Sequence, residues 1–157
     1  MNKQISIKKI RYDAEEIFRQ GGFYCSEAIV STIRKHIAPE MPISYVAAAS
    51  GFPIGVGRAK CMCGAVSGAV IVLGYFFGRT DPSSIVDPKS VKCMELAHEI
   101  QAAFRKRHKG TLCCHIHVKG MDLTLGEHKT QCVMFTGDMA EDVAKIIARE
   151  LNLEVID

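Results

Sequence analysis

The apolar stretch over residues 64–78 constrains the fold more than any other part of the sequence. It is about 15 residues long and contains four glycines, at positions 64, 68, 74 and 78. A transmembrane helix needs about 20 consecutive, mainly apolar residues, so this stretch is too short to span a bilayer. We therefore expect a buried core helix over residues 62–77, with the rest of the chain packed around it.

Most of the remaining chain has apolar residues at helical spacing, while the alternation typical of strands is nearly absent. Asp138, followed three residues later by Glu141, predicts the start of the last helix with a box-like cap. Only two segments, 115–118 and 153–156, have the pattern of short extended pieces. The predicted fold is therefore an all-α, compact bundle of about five to six helices, with a cysteine-bearing irregular C-terminal segment over 110–135. The predicted helices span residues 5–20, 24–37, 43–49, 62–77, 89–108 and 138–151.

Length and charge narrow the class of protein. A chain of 157 residues fits one domain over 1–157, and its net charge of +3 is too small for a nucleic-acid footprint. The N-terminus lacks the apolar region of a signal peptide, so we expect a cytoplasmic protein. Seven cysteines in a reducing compartment indicate thiols, metal ligands or transient redox disulfides. Their odd number leaves at least one cysteine unpaired within the chain.

Two cysteines, Cys61 and Cys63, lie where a glycine-rich turn meets the buried helix. A thiol at a helix N-terminus has its thiolate favoured by the helix dipole and by free backbone N–H groups. Arg58 and Lys60 add positive charge nearby, and Cys25 stands at the start of another predicted helix. We therefore expect Cys63 to be a low-pKa thiol or a thiolate ligand.

The other cysteines fall into two groups. Cys113, Cys114 and Cys132 lie in the irregular segment, which can fold back over a site, while Cys93 has the setting of a small buried hydrophobe. No Cys-x2-Cys pair occurs, so a zinc ribbon is not indicated. The motifs of dinucleotide, P-loop, serine hydrolase and zinc protease sites are missing too. Packing or surface roles are favoured over metal ligation for His115, His117 and His128.

The order of these features resembles the redox-active proteins named for their C_GCAxxG_C_C cysteine signature. The resemblance covers about residues 5–150 and implies a small helical protein with four characteristic cysteines. Carried onto this sequence, they are Cys25, Cys63, one of Cys113 and Cys114, and Cys132, and the spacing from Gly110 favours Cys114. The segments that carry the resemblance are Gly22–Ala28, Gly55–Arg58, Cys63–Ala69, Leu73-Gly74, Phe104, Gly110, Cys113-Cys114, Gly120–Leu123 and Cys132.

The group is also similar to the non-haem part of split-Soret cytochromes, which implies an iron–sulfur site. No Cys-x-x-Cys-His haem attachment motif occurs, so haem is not implied. The resulting hypothesis is an iron–sulfur cluster for electron transfer or redox sensing, held by Cys25, Cys63, Cys114 and Cys132, with Cys113 or Cys61 as alternative ligands.

Two alternatives stay open at this point. One is a thiol–disulfide protein with Cys63 as the reactive thiol, resolved by Cys25, Cys61 or Cys114. The other is a zinc or other metal-binding module without turnover. Whether the protein is an enzyme is open, as is the identity of its redox partner protein. The glycine-faced helix and the split-Soret resemblance favour a homodimer over a monomer.

Overall fold

The structure is a computed structural model that describes residues 1–157. It is a bundle of helices with one two-stranded parallel sheet, which confirms the all-α class. None of the helices combines the length and the hydropathy needed to cross a lipid bilayer. The elements are β1 (Gln4–Ile5), α1 (Ile7–Arg19), α2 (Cys25–His36), α3 (Ser44–Ala48), α4 (Gly64–Phe77), α5 (Pro88–Arg107), α6 (Cys114–His117), α7 (Lys129–Leu151) and β2 (Glu154–Val155).

The predicted buried helix is α4, which packs against α2, α5 and α7. A Cβ placed on Gly68 would lie 2.8 Å from both the Cα and the carbonyl oxygen of Ser26, so only glycine allows this approach of α4 to α2. The glycine face is thus used inside the chain, and it gives no support to the expected homodimer.

The two chain ends are tied together beside the pair α1 and α7. Ser6 caps α1 by accepting a hydrogen bond from the backbone N–H of Lys9. Strand β1 pairs in parallel with β2, so the extended piece predicted near the C-terminus exists, over Glu154–Val155. Helix α1 buries four apolar residues in the core that it shares with α7, namely Ile7, Ile10, Ala14 and Phe18.

The predicted start of the last helix is wrong. Helix α7 begins at Lys129, and Asp138 lies buried in its interior instead of capping its N-terminus. The Asp138 carboxylate is 2.7 Å from a guanidinium nitrogen of Arg11 and 2.9 Å from Nε2 of His108. A polar residue that is satisfied by distant partners does not end a helix, although in the sequence it has the form of a cap.

The extended piece predicted over residues 115–118 is also wrong, because Cys114–His117 forms the one-turn helix α6. The alternation of Ile116 and Val118 suggested a strand. In the structure Ile116 is 46% exposed, whereas the adjacent His117 and Val118 are both buried. The irregular segment therefore contains a helical turn and the first turns of α7, and the chain has seven helices where five to six were expected.

Candidate functional site

Four of the cysteines lie in the starting turns of four different helices. Cys25 is the first residue of α2, Cys63 is the N-cap of α4, Cys114 is the first residue of α6, and Cys132 is in the first turn of α7. Helix N-termini carry unpaired backbone N–H groups and the positive end of the helix dipole. The starts of α2 and α4 therefore favour an anion at the sulfurs of Cys25 and Cys63, where backbone N–H groups lower the thiol pKa against the effect of burial.

The segment that leads to Cys63 has an unusual backbone. All residues of the range 54–58 have φ between 54° and 69°, and Lys60 has φ of 58°. Such left-handed values cost about 1–2 kcal/mol for each residue other than glycine, and Ile54 and Val56 are β-branched. Hydrogen bonds close the turn, from the N–H of Lys60 to the Ile54 carbonyl and from the N–H of Cys61 to the Gly55 carbonyl, both 3.0 Å. The glycines predicted a turn here, but not a left-handed one.

The segment 61–63 pairs with the segment 112–114 in an antiparallel bridge. The N–H of Cys63 donates to the carbonyl of Leu112 at 2.8 Å, and the N–H of Cys114 donates to the carbonyl of Cys61 at 2.6 Å. The two segments are far apart in the sequence, and no local pattern predicted their pairing. The bridge holds the backbone of Cys114 beside that of Cys63.

Cys25 contacts the start of α4 directly. A Cβ placed on Gly64 would lie 2.7 Å from Sγ of Cys25, so the sulfur occupies the space that a larger residue would fill. A Cβ placed on Gly55 would likewise lie only 2.9 Å from the Cβ of Cys114. These two glycines allow the thiol groups and the surrounding backbone to pack closely.

The four thiols lie close enough to influence one another's ionisation. Burial raises the pKa of Cys25 well above its usual range, and the charges of Cys63, Cys132 and Cys114 raise it further. Burial also raises the pKa of Cys132 to about 12, with smaller contributions from Cys63 and Cys114. Cys25, Cys63 and Cys114 are each 8–9% exposed, and Cys132 is half-buried.

The expectation of a low-pKa thiol at Cys63 is wrong. Burial raises its pKa to about 11, which outweighs the opposing effect of the backbone N–H groups of Ala65 and Val66 at the start of α4. At Cys114, burial and the neighbouring Cys113 raise the pKa, and the positive charge of Lys60 lowers it. At Cys63 the helix start therefore favours the thiolate, but the cost of burying that charge is larger.

The remaining cysteines lie outside this group, although Cys61 and Cys113 adjoin Cys114. Cys61 is exposed, and Cys113 is partly exposed with its Sγ 3.7 Å from the carbonyl oxygen of Lys60. Cys93 lies on α5, and burial alone raises its pKa. It is half-buried, so it has only part of the burial expected for it. We call Cys25, Cys63, Cys114 and Cys132 the thiol site.

Among the candidate histidines, His117 has a packing role. It is 2% exposed, its Nε2 lies 3.0 Å from the carbonyl oxygen of Thr111, and its ring packs edge-on against Phe104 and Phe135. His115 is exposed and His128 immediately precedes α7. The burial of His117 fixes the position of α6 and hence that of Cys114.

The thiol site offers only sulfur donors, which suit iron–sulfur clusters, zinc or Cu(I). With the side chains as they stand, no group of three or more His, Cys, Asp or Glu residues could hold a metal ion. The site therefore fits such a group in donor type, burial and number of thiols, and ligation would require the thiol side chains to move closer together.

The fold and the site together define a class of helical protein with one site of four thiols, three of them buried and one half-buried. The family model "Putative redox-active protein (C_GCAxxG_C_C)" matches residues 23–146, a range that contains all four cysteines of the site. This match covers most of the chain, so the protein belongs to that family, and the resemblance noted from the sequence is confirmed. No curated protein and no solved structure matches the chain.

Proposed function

We propose that this protein binds an iron–sulfur cluster at the thiol site and serves in electron transfer or redox sensing. One observation carries the proposal: Cys25, Cys63, Cys114 and Cys132 lie in the starting turns of four helices, close enough to raise the pKa of one another's thiols. Iron–sulfur clusters in proteins are held mainly by cysteine thiolates, and a cluster ligated by four thiolates is anionic. Helix N-termini stabilise such a negative charge.

The chain contributes hydrogen bonds and burial to this function. The backbone N–H groups of Ala65 and Val66 can donate to the sulfur of Cys63, and that of Ser26 can donate to the sulfur of Cys25. Hydrogen bonds to sulfur and limited solvent exposure are the means by which a protein sets a cluster's reduction potential. When bound, a cluster supplies one-electron chemistry, while these residues orient the thiolates and exclude water.

Cys114, not Cys113, is the fourth ligand in this proposal. The charge of Cys114 raises the pKa of Cys25, of Cys63 and of Cys132, so its sulfur lies near all three. Cys113 is turned towards the carbonyl of Lys60, and its charge raises the pKa of Cys114 but not that of Cys63 or Cys132. Exposed Cys61 also raises the pKa of Cys114 but not that of Cys63 or Cys132, so it is outside the proposed ligand set.

The alternatives have less support. A thiol–disulfide protein that uses Cys63 as its attacking group needs a thiolate near neutral pH, and burial raises the pKa of this thiol to about 11. A zinc site would use the same four thiols, so it differs from the proposal in the bound metal and not in the residues.

The proposal is tested by purifying the full-length protein without oxygen and measuring its absorption spectrum, iron, acid-labile sulfide and zinc. We expect brown protein with iron and sulfide in comparable amounts. Cys25→Ser, Cys63→Ser, Cys114→Ser and Cys132→Ser should each lose most of the bound iron, because each removes a proposed ligand. Cys93→Ser is the matched control, since Cys93 lies on α5 outside the thiol site.

Three results would contradict the proposal. Colourless anaerobic protein that also fails to take up iron and sulfide on reconstitution would exclude a cluster. Stoichiometric zinc without labile sulfide would identify the site as a zinc site. An equal loss of iron in Cys93→Ser and in the four site variants would show that the losses come from general damage to the fold.

A further inference from the structure

Cys61 lies opposite Cys114 in the short antiparallel pairing. Met62 is bridged to Cys113, and the N–H of Cys114 donates to the carbonyl of Cys61 at 2.6 Å. Opposed residues carry their side chains on the same face, and at hydrogen-bonded positions their Cα atoms are about 5.5 Å apart. Disulfides span Cα separations of about 4.4–6.8 Å, so the Cα spacing expected for these opposed residues lies within the range that a disulfide bridges.

The neighbouring cysteines are less well placed to bond with Cys61. Cys113 is opposed to Met62 and therefore lies on the other face of the pairing. Its Sγ is 3.7 Å from the carbonyl oxygen of Lys60. Cys63 follows Cys61 by two residues on the same extended segment and is opposed to Leu112. Position in the bridge thus selects Cys114 as the partner of Cys61.

The two opposed thiols differ in their access to solvent. Cys61 is exposed, whereas Cys114 is 8% exposed. A small oxidant in solution therefore reaches Cys61 first, and the sulfur of Cys114 is the thiol opposed to it. Oxidation-sensitive cysteine pairs commonly have this arrangement of an accessible thiol and a resolving thiol.

We infer that Cys61 and Cys114 form a reversible disulfide when the protein meets a hydroperoxide. The Cys61 thiolate attacks the O–O bond of hydrogen peroxide, which gives a sulfenic acid and releases one water molecule. The sulfur of the Cys114 thiol then attacks the sulfenic acid sulfur, and the displaced hydroxyl group leaves with the thiol proton as a second water molecule. Two thiol hydrogens and two electrons pass to the peroxide, and one S–S bond forms.

The consequence for the thiol site rests on the proposed function. A Cys114 sulfur that is bonded to Cys61 cannot act as a thiolate ligand, so oxidation removes one of the four proposed ligands. A thiol reductant breaks the disulfide and returns Cys114 to the site. Cys61 thus makes cluster loading dependent on the surrounding hydroperoxide level.

The disulfide can be tested on the full-length, reduced protein without metal, separately from cluster binding. After treatment with hydrogen peroxide, free thiols are alkylated and the protein is cleaved with trypsin without reduction. Mass spectrometry should detect the peptide 61–79 linked to the peptide 110–119, and dithiothreitol should separate them. The link should be lost in Cys61→Ser and in Cys114→Ser, and retained in the matched variants Cys63→Ser and Cys113→Ser.

Each outcome decides the inference. A link that persists in Cys61→Ser, or that is lost in Cys63→Ser, would overturn it, as would the absence of any link between the two peptides. Circular dichroism of each variant separates a lost link from a lost fold. Iron content of anaerobically purified Cys61→Ser tests the proposed function independently, because Cys61 is outside the ligand set and iron should be retained. Failure of the link with normal iron content would contradict only the inference.

Discussion

The molecule contains two buried polar centres that differ in how their groups are satisfied. In the first, the Asp138 carboxylate is met by Arg11 at 2.7 Å and by His108 at 2.9 Å, and Arg107 lies 3.7 Å away. We call these four residues the Asp138 cluster. In the second, the thiol site, burial opposes ionisation of every thiol. The thiols within hydrogen-bond reach of a carbonyl are those of Cys61 and Cys113, outside the site.

This difference indicates different roles. A buried charge with complete partners holds elements together, and here the Asp138 cluster joins α1, the C-terminal end of α5 and α7. Buried thiols whose polar partners are only backbone N–H groups contribute mainly packing until a group that needs thiolates binds them. Removing a group from the first centre should therefore cost stability, whereas removing one from the second should cost binding.

The largest expected effect is that of Asp138→Ala. The change leaves Arg11 and the buried His108 without this carboxylate, and breaking a buried ion pair costs about 3–5 kcal/mol in free energy of unfolding. Urea unfolding followed by circular dichroism measures it. The control is Asp81→Ala, because Asp81 is exposed in a loop and should change stability little. A cost below about 1 kcal/mol for Asp138→Ala would show that the cluster does not hold the fold.

The second effect concerns the backbone packing that supports the thiol site. Gly68→Ala would place a methyl group 2.8 Å from the Ser26 backbone, next to Cys25, and overpacking of this kind costs about 1–3 kcal/mol. Gly74 offers a control on the same helix, because a Cβ there meets nothing within 4 Å. Gly74→Ala should raise stability by up to about 1 kcal/mol, through helix propensity alone. Equal effects of the two substitutions would contradict the close approach of α4 to α2.

The local parts of the fold were predictable from the sequence. Apolar spacing located α1, α2, α4 and α5 to within about two residues at each end, which is the usual uncertainty of helix ends. The glycines of α4 predicted a face for close packing, and Gly68 lies on it. The positions of Cys25 and Cys63 at helix starts also followed from local pattern, because caps and glycine turns are local features.

The non-local parts were not predictable from a single sequence. Asp138 has the local form of a helix cap, and only Arg11 and His108, distant in sequence, allow it to lie inside α7. The pairing of Cys61 with Cys114 rests on backbone hydrogen bonds that any residue types could make. The raised pKa of Cys63 follows from burial by the assembled helices, whereas the effect that favours its thiolate comes from its own helix alone.

The third effect is the loss at low pH of the stability that the Asp13 carboxylate contributes. Burial raises the pKa of Asp13, but hydrogen bonds from Lys35, His36 and Lys9 outweigh it and lower the pKa from 3.8 to about 2. A lowered carboxyl pKa contributes stability above pH 3.8, which is lost as the pH falls towards 2. With solvent screening, we expect a contribution of about 1–2 kcal/mol. The free energy of unfolding, measured between pH 5 and pH 2, should therefore fall more steeply with falling pH for the wild type than for Asp13→Asn. Equal slopes for the two proteins would exclude this role.

The smallest expected effect on stability is that of Cys132→Ala in protein without metal. The substitution removes one half-buried sulfur atom that makes no polar contact on which the fold depends, so its cost should be about 1 kcal/mol or less, as for a buried methylene. Cys93→Ala, also half-buried, should have a similar cost. The two variants should differ in iron content after anaerobic loading, where only Cys132→Ala loses it. A cost of several kcal/mol for Cys132→Ala alone would break the comparison, because the thiol site would then hold the fold as the Asp138 cluster does.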